Sequence, residues 1–179
     1  NECWMEARRL LARPVRERDL PEVLAIIRQQ SALVRGALHG TMLRNDIFNF
    51  ARLGTFIERA DNTARILDVK YYVLLPSISQ IGSALDNVQW ENILRSVGGL
   101  RSYRWLNGAE VTPAGIADFL ILDGRMPRSL AFCAGKMGAN LGYLEKEYAI
   151  RHPCHEMVEA LMGRLSSNST ETIFEAGLH

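Results

Sequence analysis

The stretch Met42 to Tyr72, MLRNDIFNFARLGTFIERADNTARILDVKYY, is the longest uninterrupted helical pattern in the chain, with no proline before Pro76. Leu53, Ile57, Ala60, Ala64, Leu67 and Tyr71 recur at steps of three and four, which is one stripe of an α-helix and predicts the side that faces a core. At about 100° per residue, Gly54, Glu58, Asp61, Asn62, Arg65 and Asp68 gather on a second, polar face, with Arg59, Thr63 and Ile66 on its far side. Glu58 and Arg59 therefore point in different directions. Asp61 and Arg65 make an acid-then-base pair at i,i+4, and Glu58 lies two turns from Arg65 on the same face, so a ladder of ion pairs is sterically available. Exposed, each such pair contributes about 0.5 kcal/mol or less. Buried among helices, an Arg fork on a carboxylate would fix helix register, and loss of one partner would cost about 3 to 5 kcal/mol.

The same patterning carries the rest of the chain. Glu2 to Ala12 reads as a short helix with Trp4, Ala7 and Leu11 on one side, ended by Pro14. Arg13 to Arg18 brings three Arg, but Glu17 and Asp19 follow at once, which favours a solvated linker over a nucleic-acid patch. Asp19-Leu-Pro-Glu22 is a capping box with Pro in the first turn, and the helix from Pro21 to about Leu38 is expected to bury Val23, Leu24, Ile27, Ala32, Leu33 and Leu38. Beyond the long helix, Pro76 to Asn87 is rich in Ser and too long for a tight turn; it reads as an internal loop, either a flexible connection or a lid. Val88 to Leu106 predicts a helix marked by Trp90, Ile93, Leu94, Val97, Leu100, Tyr103 and Trp105, stopped by Gly108. Gly98-Gly99 weakens its middle by about 1 kcal/mol per Gly relative to Ala and allows a bend or a close crossing.

Thr112-Pro113 is an N-cap with Pro at the first helical position, opening a short helix to about Leu122; Asp123-Gly124 turns, and Pro127 opens another helix. Gly135, Gly138 and Gly142 fall on nearly one face of it, where a neighbouring helix can approach closely. Pro153 begins a helix carrying Met157, Val158, Leu161 and Leu165, and Asn168-Ser-Thr-Glu171 caps a last short one from Thr170 to about Ala176. Strand-like alternation never lasts more than a few residues. The fold class is therefore all-α, a bundle of about six to eight helices organised around one long helix.

Composition narrows the function. A chain of 179 residues, 47% of them hydrophobic, fills one core and predicts a single domain over 1–179. The net charge of +1 gives no long-range pull on nucleic acid or an acidic membrane, although 18 of the 21 basic residues are Arg. That excess has two readings, a codon-biased genome or many buried forks to carboxylates and phosphates. Three Cys without a CxxC fit a reducing, cytoplasmic compartment, and no run of about 18 apolar residues is present to span a membrane.

Candidate chemistry is sparse. Arg125, Arg128 and Ser129 surround the N-terminus of the helix opened by Pro127, where free N–H groups and the dipole favour an anion. The competing reading pairs Arg125 and Arg128 with Asp123 or Glu58. His152-Pro-Cys154-His155, with Glu156 and Glu159, is the only cluster of metal-ligand chemistry, but neither HExxH nor a second Cys or His pair completes it, so neither metal nor cofactor is expected. Cys133, between apolar neighbours, reads as a buried packing thiol. The paired carboxylates that acid–base work needs exist only as Glu58 with Asp61 or Asp68, and beside Arg65 they would be held ionised, which argues against proton transfer.

Three stretches carry a resemblance: TMLRNDIFNFARLGTFIERADNTARILDVKYY, Leu100-Arg101-Ser102, and DFLILDGRMPRSLAFC from Asp118 to Cys133. They are similar to the Alpha-E family of bacterial helical proteins, with Glu58-Arg59 in the place of the family's Glu-Arg motif. The resemblance implies an accessory role beside an ATP-grasp ligase and a transglutaminase-like peptidase in a peptide- or amide-bond-forming system. It also implies an earlier helix with another Glu-Arg; this chain starts at Asn1 without a second Glu-Arg of that kind, which points to a fragment. Ligand-binding candidates are Glu58, Arg59, Asp61, Asn62, Arg65, Arg125, Arg128 and Ser129. Three roles stand open for the motif. Arg59, Arg65 and Arg128 hold a carboxylate or phosphate while Glu58 orients them or takes a substrate amine; or Glu58 is the base of an amide ligase or hydrolase; or the motif pins the bundle and a surface recruits the ligase. A homo-oligomer is compatible with each.

Overall fold

The computed structural model describes residues 2–72 and 83–169. Among these residues every regular element is helical: α1 (Glu2–Leu10), a 3-10 turn (Glu17–Asp19), α2 (Leu20–Thr41), α3 (Asp46–Tyr72), α4 (Ala84–Ser96), α5 (Leu100–Asn107), α6 (Pro113–Ile121), α7 (Leu130–Tyr148) and α8 (Pro153–Ser167). The all-α expectation holds, and none of these helices is long and apolar enough to cross a membrane. Contacts divide the chain, expected as one domain, into two compact units, Asn1–Phe48 and Asn49–His179, with the boundary inside the first turn of α3. The expected last helix, Thr170 to Ala176, and residues 76–82 of the expected loop lie outside the described residues.

In the first unit α1 packs on α2. Of the six residues expected in the α2 core only Val23 is buried; Leu38 is half-buried, and Leu24, Ile27 and Leu33 are exposed. The reason is supply: a 9-residue helix gives a 22-residue one too little surface to pack against within the unit. The predicted Asp19 cap is also replaced, because its carboxylate accepts from Arg16 Nε at 2.9 Å and lies 3.5 Å from Arg18 Nε, while its side chain makes no cap bond. After α2, Arg44 reaches back to the carbonyls of His39, Leu38 and Met42, and its guanidinium lies 4.0 Å from the centre of the buried Phe48 ring.

In the second unit, α3 to α6 enclose a core of Leu67, Trp90, Ile93, Leu94, Tyr103, Ile116, Phe119, Leu120 and Met126. A second cluster, Phe56, Cys133, Ala134 and Met137, joins α3 to α7. The buried stripe of α3 is Phe56, Thr63, Leu67 and Lys70, whereas Ile57 and Ala64 of the expected stripe are exposed and the side chain of Tyr71 lies outside the described residues. The helix is thus turned toward its polar Thr63 and Lys70, because both find buried partners. Lys70 Nζ donates to Asp86 Oδ1 at 2.6 Å and Gln89 Oε1 at 2.9 Å, beneath the Trp90 ring, with the two charged side chains only 2% and 5% exposed.

That ion pair helps to set where α4 begins. Ser83 caps it by accepting from Asp86 N–H, so 84–87 are helical rather than loop. The helix expected over Val88 to Leu106 is two helices. Gly98, at φ +67, breaks it, and Gly99 N–H bonds the Leu94 carbonyl at 2.7 Å. A Cβ on Gly99 would stand 3.2 Å from both Met126 Cε and Phe119 Cε1, so this corner is packed from behind. Between α7 and α8, only Gly138 of the three expected glycines meets a close neighbour, with Met162 Sδ 3.0 Å from its Cβ position.

Candidate functional site

The segment from Leu122 to Ser129, connecting α6 to α7, is held from two sides. Its own turn closes first: Asp123 Oδ1 accepts from Arg125 N–H at 2.7 Å, and the Arg125 guanidinium forks onto the same carboxylate at 3.2 and 2.8 Å. That fork holds the Asp123 carboxyl below the usual carboxylate range, against a smaller opposing effect of burial. Ser129, fully buried, donates its hydroxyl to the Asp123 carbonyl at 2.5 Å and accepts from Phe132 N–H at 3.0 Å, capping α7. From α3, Arg59 Nη1 then donates to the Pro127 carbonyl at 3.2 Å, and Thr63 Oγ1 to the Arg128 carbonyl at 2.8 Å. Residues four apart on α3 thus clasp adjacent carbonyls of the connection.

Around the clasp, positive charge meets aromatic rings. The Arg52 and Arg59 guanidinium groups lie 4.8 and 5.3 Å from the centre of Phe56, which meets Phe132 edge-on at 6.0 Å, and Lys136 Nζ lies 5.2 Å from Phe132. Cys133 sits in this seam with its thiol 3.8 Å from the Pro127 carbonyl. Burial pushes that thiol up, and the charges of Arg59 and Arg128 only partly oppose the shift, so it is a protonated packing group. The side chain of Arg128, half-buried, has no hydrogen-bonding or ion-pair partner among the described residues.

The outer face of α3 is separate in character. Glu58 is exposed and accepts from Asn62 Nδ2, while Asp61 and Arg65 form the expected i,i+4 pair at 2.8 Å with side chains 55% and 74% exposed. Arg59, Arg128 and Ser129 are therefore brought together with Pro127, Arg125 is turned onto Asp123, and Glu58, Asp61, Asn62 and Arg65 share one solvent-facing surface. The anion position expected at the α7 N-terminus is shaped by this: the Ser129 hydroxyl serves the cap, and Arg125 belongs to Asp123. At α8 the His-Cys-His cluster resolves into a turn, with His155 Nδ1 accepting from His152 N–H at 3.1 Å and Nε2 facing the Leu141 carbonyl at 3.2 Å. Among the described residues no three His, Cys, Asp or Glu are placed to hold a metal ion.

Sequence reasoning missed a cavity of about 370 Å³ on the other side of the connection. Its walls are Arg101, Ser102, Trp105 and Leu106 of α5, Phe119 of α6, and Arg125, Met126 and Pro127 of the connection. Trp105, one of the residues marking the helix expected over Val88 to Leu106, is 85% exposed. The signal available was the pairing of Leu100-Arg101-Ser102 with the Arg125 to Ser129 run, two stretches that packing of α5 on α6 brings to one place.

A sequence model of the Alpha-E family, described as a predicted alpha-helical domain with a conserved ER motif, matches residues 1–179. No curated protein and no solved structure matches the chain significantly.

Proposed function

Because the chain belongs to the Alpha-E family, we propose that it is an accessory binding domain, with Glu58-Arg59 as the family's ER pair, acting beside an ATP-grasp ligase and a transglutaminase-like peptidase in peptide- or amide-bond formation. The observation that carries this reading is the clasp. Arg59 directs a guanidinium N–H onto the Pro127 carbonyl, and Thr63 fixes the next carbonyl, so the arginine positions the segment that bears Arg128. Arg128 and Lys136 then offer positive charge with no carboxylate bound to either among the described residues, a face suited to an acidic partner. Glu58 stands apart from this face, exposed and bonded to Asn62 on its own helix. Three free thiols fit a cytoplasmic setting.

The test is ATP-dependent amide formation by the ATP-grasp enzyme with and without this chain. Wild type is expected to stimulate it, and Arg128→Ala combined with Lys136→Ala to remove the stimulation while the melting temperature stays within about 2 °C. Turnover of amide substrates by the purified chain alone, or full stimulation by the double variant, would overturn the reading.

A further inference from the structure

The cavity between α5 and the α6–α7 connection has its own chemistry, independent of any partner enzyme. Its floor is apolar, built from Phe119, Met126 and Pro127, and Trp105 stands at its edge with an open aromatic face. Two guanidinium groups line it, and their states differ. Arg125 is neutralised by the fork onto Asp123, whereas Arg101 is exposed and has neither hydrogen-bonding partner nor counter-ion among the described residues.

Charge and size together select the ligand. One uncompensated cation beside an ionised Asp123 favours a single negative charge and disfavours a polyphosphate, which would bring repulsion from that carboxylate. A volume of about 370 Å³ lies at the small end of ligand pockets, enough for one ring or branched chain and not for a nucleotide. We propose that this cavity binds a single carboxylate carried on a flat apolar body, Arg101 taking the carboxylate and Trp105 covering the body. Two sources present that chemistry, the free C-terminus of a peptide ending in an apolar residue and a free aryl-alkyl carboxylic acid.

The experiment titrates the full chain by calorimetry with 4-phenylbutyrate, with N-acetyl-Ala-Ala-Phe, with the amide of that peptide, and with ATP. Saturable binding of either carboxylate is expected, with none for the amide or ATP. Binding of the acid alone, or of the peptide alone, identifies the source. Arg101→Gln and Trp105→Ala, both at exposed positions, are expected to weaken binding at least about tenfold while leaving melting unchanged. A shift of the Trp105 indole N–H resonance on titration provides a readout that needs no variant. The proposal is overturned when neither carboxylate saturates in the millimolar range, when amide or ATP binds as well as the acid, or when Arg101→Gln binds like wild type.

Discussion

Removing the Asp86 carboxylate is the sharpest test of how the second unit is held together. Asp86 and Lys70 are almost wholly buried, 2.6 Å apart, with Gln89 as a further acceptor and the Trp90 ring beside the ammonium. Asp86→Ala leaves a buried cation without its counter-ion, which costs about 3 to 5 kcal/mol, toward the lower end because Gln89 still accepts. At roughly 2 to 4 °C per kcal/mol for a chain of this size, the midpoint should fall by about 6 to 20 °C. The control is Asp61→Ala, which breaks an exposed pair worth about 0.5 kcal/mol or less. Replacing both partners, as Lys70→Met with Asp86→Leu, should restore most of the loss, since two apolar side chains carry no desolvation penalty. Thermal and urea unfolding followed by circular dichroism measures all four proteins. If Asp86→Ala melts within 2 °C of Asp61→Ala, the pair is not the buried lock the burial and distances imply, and the reasoning fails.

Thiol reactivity gives a second check: Cys154, exposed, should label with a maleimide in the native protein, while Cys133, buried and with its thiol pushed up, should label only as the chain unfolds. A third concerns acid. The Asp123 carboxyl is held down by Arg125 in the folded state, so the stability it contributes is present above its unfolded value near pH 4 and is lost as pH falls through the lower folded value. Wild type should therefore lose more stability than Asp123→Asn on acidification below about pH 4, the two curves converging at the acid end; parallel melting curves from pH 7 to 2.5 would count against the fork.

Fold class was legible from spacing, because step-three and step-four apolar positions and the Thr112 cap are local signals; the Ser83 cap fell inside the expected loop, and Ser129 rather than Pro127 opens α7. Which side of α3 is buried was not. Arg59 and Thr63 could be grouped on one face, yet nothing local says that this polar face meets carbonyls some 65 residues away, at Pro127 and Arg128. Likewise Ile57 and Ala64 fit an apolar stripe as well as Phe56 does, and only the docking of Phe132 and Cys133 decides between them. The pairing of Arg125 with Asp123 was readable because the two are neighbours in sequence. Lys70 with Asp86 was not, since a charged residue on a helical pattern reads as solvated until a partner from another helix is known.

Gly99 carries a consequence for how this fold can diversify. Of the three atoms that crowd its missing side chain, Met126 Cε and Phe119 Cε1 belong to residues that also line the α5 cavity, and Val97 Cγ2 does not. One methyl group at position 99 would stand 3.2 Å from the first two, so each has to give by a few tenths of an ångström and the cavity lining moves with it. The shape of the cavity is thus coupled to a residue that does not line it, and it can be altered at the corner of the chain while Arg101 and Trp105 stay as they are.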